Sequence, residues 1–114
     1  MHKFRCLEEA TQLYHLAKKQ KLKAFMRDQL LRASSSVALN LAEGNARRTP
    51  KDRLRMFNIA LSSLREVQMI CNLEDLNLLE KQADKVGAMI YVLNRNLTDA
   101  VTETETVAEY RISD

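Results

Sequence analysis

Apolar residues recur along this chain at intervals of three and four, in four blocks separated by short polar runs. With about 3.6 residues per helical turn, such intervals place side chains on one face of a helix. The first block holds Cys6, Ala10, Leu13 and Ala17, and the basic run KKQKLK (18–23) that follows predicts a turn. The second predicts a helix from about Ala24 to Ala42, with Met26, Leu30, Ala33, Val37 and Leu41 inward. Gly44 stands after its last apolar turn, where glycine can adopt the left-handed conformation that closes a helix, and NARRTP (45–50) marks a second turn. The third helix has the best-specified start: Thr49 as cap, Pro50 in the first turn and Asp52 at the positive end of the dipole. Phe57, Ala60, Leu64, Val67 and Cys71 form its stripe, which fades within Asn72–Asp75. Asn77 and Glu80 resemble a capping box opening a fourth helix, whose stripe is Leu79, Ala83, Val86, Ile90, Leu93 and Leu97.

Short connections make sequential helices antiparallel neighbours, so the fold expected is an all-α, antiparallel up-and-down four-helix bundle over residues 1–98. Residues 99–114 are acidic and less periodic, and are read as an extension or a mobile tail. Composition agrees: the 114 residues include 2 glycines and 1 proline, far too few turn formers for a sheet protein of this length. Serines and an asparagine in RASSSVALNLAEGNARR (32–48) compete with helical hydrogen bonds and need a reason. Close packing through Ser34, Ser35, Ala38 and Ala42 is one. A structural polar network of Arg32, Asn40, Glu43, Ser63 and Glu66 is another.

The chemistry of catalysis is missing from the inventory, so no enzyme is expected and no cofactor or metal. The histidines are His2 and His15, neither in the Glu-x-x-His spacing of a di-iron bundle. Phosphate-loop, nucleophile-elbow and Cys-His pairing motifs are absent from the sequence. Cys6 and Cys71 sit at apolar positions and read as reduced core thiols, while Met26, Met56, Met69 and Met89 read as packing. The charged N-terminus lacks a signal-peptide pattern and no apolar run is long enough to span a membrane, which points to a soluble, cytoplasmic protein with no membrane partner.

The run QLLRASSSVALNLAEGNARR (29–48) with KDRLRMFNIALSSLREVQ (51–68) resembles the bacterial four-helix bundle proteins encoded within 23S ribosomal RNA intervening sequences. The matching pieces are Gln29, Arg32-Ala33, Ser36, Asn40 to Gly44, Arg47 or Arg48, and Ala60 with Ser63 to Glu66; Leu41 stands where the family usually has isoleucine. The resemblance implies a ring-like homopentamer. It also links the chain to the accessory proteins of diversity-generating retroelements, which bind nucleic acid together with a reverse transcriptase.

Charge then points to a partner. The net charge of +3 divides into +8 over residues 1–57 and −5 over residues 58–114. Basic side chains gather in two clusters, Lys18, Lys19, Lys21, Lys23 and Arg27 at the first turn and Arg47, Arg48, Lys51, Arg53 and Arg55 at the second. All of them but Arg53 are the phosphate contacts expected of a nucleic-acid-binding bundle, RNA above all, and a ring of copies would multiply them. A second reading is a protein–protein scaffold or accessory subunit, using the small-residue face of helix 2 and exposed apolar positions such as Leu31 or Ile59.

Overall fold

The computed structural model describes the backbone of residues 4–112 and side chains over residues 4–103; His2 and the end of the acidic tail (113–114) lie outside the described residues. Four α-helices follow one another: α1 (Arg5–Lys18), α2 (Ala24–Ala46), α3 (Pro50–Leu73) and α4 (Asn77–Ile112). Among the described residues there is no strand. Each helix packs on two others, α1 and α3 both lying between α2 and α4.

The predicted stripes form the core. Cys6, Ala10, Leu13 and Ala17 of α1 are buried, as are Leu30, Ala33, Val37 and Leu41 of α2, and Phe57, Ala60, Leu64, Val67 and Cys71 of α3. From α4 come Leu79, Ala83, Val86 and Ile90, with Leu93 and Leu97 packed half-buried against them. Each fully buried leucine contributes roughly 2 kcal/mol by leaving water. Both cysteines are free, and burial pushes the Cys6 thiol up to about 12 and the Cys71 thiol up to about 11, so they remain inert thiols. Met69 departs from its expected packing role and is exposed, while Leu31, expected outside, packs partly buried against the core.

Gly44 does not close α2. It has no positive φ and sits inside the helix, which runs on to Ala46 and stops where Arg47 turns extended. Its role is steric: a Cβ there would come within 2.4 Å of Phe57 Cε1, so the hydrogen side chain lets the Phe57 ring lie against the α2 backbone. The ring of Phe4 lies 5.9 Å from that of Phe57. At the next helix start, Thr49 caps as predicted, its hydroxyl accepting from the Asp52 amide at 3.1 Å, with Pro50 as the first helical residue.

The left-handed closing residue lies at the end of α3 and is Asp75, with φ of 55°. The Leu76 amide donates to Cys71 O at 2.9 Å across it, a hydrogen bond that closes the last turn. Asn77 is already helical, one residue inside the cap position expected for it. Helix α4 then continues past residue 98 without a break to Ile112.

Polar contacts set how the helices align. Gln82 donates to both the backbone oxygen and the carboxylate of Glu9, at 2.9 and 2.8 Å, and Lys85 reaches the same carboxylate at 3.1 Å, tying α1 to α4. The Gln82 hydrogen bond, with Lys85 behind it, holds the Glu9 carboxyl below its ordinary range. Between α3 and α4, Gln68 meets Asp84 at 3.0 Å and the buried Asn94 donates to Asn58 at 3.0 Å.

Two substitutions test these local readings by chemical denaturation. Gly44→Ala is expected to cost about 1–3 kcal/mol, because the added methyl must displace a buried ring. Asp75→Gly is expected to stabilise by up to about 1 kcal/mol, because glycine occupies the left-handed region without the Cβ penalty.

Candidate nucleic-acid interface

The two basic clusters flank α2. Its 23 residues separate them by about 35 Å at 1.5 Å rise per residue, so one subunit carries two patches and no continuous groove.

At the first connection, Lys19, Lys21 and Lys23 are exposed and form no ion pair among the described residues. Lys23 precedes α2 and its side chain makes no capping bond, while no acidic residue occupies the first turn of that helix. The positive end of the helix dipole therefore adds to the lysines. Lys18 lies over the Tyr14 ring, 5.1 Å from its centre. Arg27 has a different task. Its Nη1 donates to the carbonyls of Lys18 and Gln20, at 3.0 and 3.3 Å, so the guanidinium braces the turn that presents the lysines. Glu74, from the α3–α4 connection, borders the same recess and reduces its positive potential.

At the second connection, Arg48, Lys51 and Arg55 are exposed without an ion pair among the described residues. Arg47 is committed to Glu43, one turn back, at 2.7 Å. Arg53, in the basic cluster but not among the expected phosphate contacts, is half-buried and reaches Asn45 at 3.4 Å.

The expected five-residue network resolves into three separate groups. Arg32 pairs with Glu66 on α3 and with Gln29 at 2.8 Å. Ser63 meets Ser36 at 2.8 Å, and Asn40 donates to the carbonyl and hydroxyl of Ser36 at 2.8 and 3.1 Å. Glu43 serves only Arg47 among the described residues. Ser36 is the member that the sequence reading left out; its position four residues before Asn40, on the face toward α3, was the available signal. Of the small residues expected in close packing, Ser34 is fully buried with its hydroxyl on Leu30 O at 2.7 Å, whereas Ala42 is exposed. His15 is exposed beside the Tyr14 ring.

No group of three His, Cys, Asp or Glu side chains among the described residues is arranged to hold a metal ion. Likewise, no helix among them is long and apolar enough to cross a membrane. The bracing role of Arg27 gives a direct test: Arg27→Ala should destabilise the first connection by about 1 kcal/mol. Hydrogen exchange should then quicken at residues 18–24 while the core helices stay protected.

The family model of the 23S rRNA-intervening sequence protein matches residues 4–99. Among solved structures, one similar chain is a protein with unknown function from the S23 ribosomal protein family of Bacteroides thetaiotaomicron. The two are 23% identical, the match covers 85% of this chain and 94% of that one, and the TM-score is 0.55, a likeness of fold. Among curated proteins none matches. With the family pattern running from Phe4 through Asp99 and a four-helix all-α fold beneath it, this chain belongs to the 23S rRNA-intervening sequence protein family.

Proposed function

We propose that this protein is a non-enzymatic, cytoplasmic, oligomeric bundle that binds nucleic acid, RNA in the first place, through the two basic connections. The observation that carries the reading is the set of uncommitted cations: Lys19, Lys21 and Lys23 at one connection, Arg48, Lys51 and Arg55 at the other. Among the described residues they form no ion pair, while Arg27 and Arg47 are consumed in holding the backbone and Glu43. Phosphate contacts of this kind give salt-sensitive, largely sequence-independent affinity. The family's name, which refers to 23S rRNA, agrees with an RNA partner.

An antiparallel up-and-down arrangement is part of the proposal. Arg32 meets Glu66 and Ser36 meets Ser63, so residue numbers fall along α3 as they rise along α2; Gln68–Asp84 and Asn58–Asn94 repeat the relation between α3 and α4. So is assembly into a closed ring, pentameric as the family resemblance implies. A ring turns two patches of three or four cations into two belts, and several contacts made together raise affinity steeply.

A protein partner, such as a reverse transcriptase, is the second reading. It is favoured by an apolar groove between the start of α1 and α4, lined by Phe4, Cys6, Ala88, Met89, Val92 and Leu93.

Binding of a 23S rRNA fragment, followed by fluorescence anisotropy across a salt series, tests the first reading. Arg48→Glu with Lys51→Glu should weaken binding by about tenfold or more and lower the salt slope by about two contacts' worth, with the oligomer unchanged. Binding that is indifferent to this double substitution and to salt would refute it.

A further inference from the structure

Among the described residues, the two basic connections differ in one respect: the first has an exposed aromatic ring beside its cations and the second has none. At the second, Phe57 is buried and the half-buried Phe4 packs on it. At the first, Phe25 stands in the opening turn of α2, two residues after Lys23, and is 64% exposed. No other ring and no cation among the described residues lies on its face, whereas the nearby Tyr14 already carries Lys18. Helical period sets Phe25 on the side of α2 that carries Arg32, and Met69 and Leu73 on the side of α3 that carries Glu66. The Arg32–Glu66 pair joins those two sides, and seven residues from it, toward the first connection, Phe25 comes level with Leu73. Leu73 is 62% exposed and Met69 57%, so an open apolar shelf continues from the ring onto α3. Lys21, Lys23 and Glu74 line one recess, which sets the lysines beside that shelf. Lys18, Lys19, Lys21 and Lys23 outnumber Glu74 and Asp28 there, leaving the surroundings of the shelf positive.

We propose that this shelf takes the bases of single-stranded RNA: one base stacks on the Phe25 ring, its neighbour lies over Leu73, and the lysines hold the phosphates between them. This deepens the nucleic-acid reading of the proposed function and rests on it. Charge complementarity selects the occupant. An apolar surface bordered by cations matches a strand in which flat bases alternate with anionic phosphates. A duplex cannot use the ring, because its bases are stacked on one another and present only their edges. Stacking on an aromatic face is tolerant of sequence, since every base has a π-face. The two connections therefore divide the work. Lys21, Lys23 and Phe25 read the single-stranded state, while Arg48, Lys51 and Arg55, with no exposed ring beside them, hold phosphates of any strand.

Fluorescence anisotropy on the full chain tests this, with oligouridine, which holds no fold of its own, and an RNA duplex of equal length as probes. Phe25→Leu keeps the apolar bulk and removes the ring. It should weaken oligouridine binding about tenfold while leaving duplex binding and the salt slope unchanged, because the ring carries no charge. Phe25→Trp should bind as the unaltered chain does. The sequence has no tryptophan of its own, so the emission of that variant should be quenched by oligouridine and not by the duplex. Light scattering should give the same assembly for all three chains. Oligouridine binding that is indifferent to Phe25→Leu overturns the stacking site and leaves the nucleic-acid reading standing. A change of assembly in Phe25→Leu does the same and assigns the ring to a protein contact. An unaltered chain that binds neither RNA overturns both.

Discussion

The contact on which the candidate interface depends is the Phe57 ring seated on the bare backbone of Gly44. It forces α2 and α3 close together two residues before α2 ends, which leaves only Arg47, Arg48 and Thr49 to reverse the chain. Thr49 then has to cap α3 and Pro50 to start it, because no residues remain for a longer loop. Arg48, Lys51 and Arg55 are therefore held by a core contact and a helix start, and their spacing is fixed by helical geometry. Phe4 against Phe57 extends the same constraint to the start of α1.

A common economy governs the cations. Arginines nearest the backbone are used as mortar: Arg27 satisfies two carbonyls of the first connection, and Arg47 neutralises Glu43 at the end of α2. Lys19, Lys21, Lys23 and Lys51 and the outlying Arg48 and Arg55 have no such duty among the described residues. The lysines bear compact, strongly hydrated charges on flexible stems, suited to following a phosphate backbone without a fixed geometry. The clusters thus combine a rigid mount with mobile charges.

The inward half of the fold was legible because burial imposes a helical period, and the 4-3-4 intervals from Cys6 to Ala17 and from Leu79 to Ile90 are that imprint. Gly44 misled because a glycine after an apolar turn fits two causes, conformational freedom and lack of volume, and only the position of Phe57 separates them. Asp75 was missed for the complementary reason, since aspartate gives a weak signal for a left-handed site that glycine usually fills. In the candidate interface, the charge clusters were visible as composition, but which cation is free depends on carbonyls such as those of Lys18 and Gln20, which have no signature in sequence.

The buried Asn94, bonded to Asn58, has a consequence for how the long helix is placed. Stripes of leucine and alanine interlock nearly as well after a slip of one or two turns, and α4, at 36 residues, has length to spare for such a slip. In any slipped state the Asn94 amide nitrogen would lose its bond to Asn58, at a cost of about 1–3 kcal/mol. Together with Gln68 on Asp84 further along the same seam, the pair acts as a detent, giving up a little cohesion so that the helix can rest at a single notch.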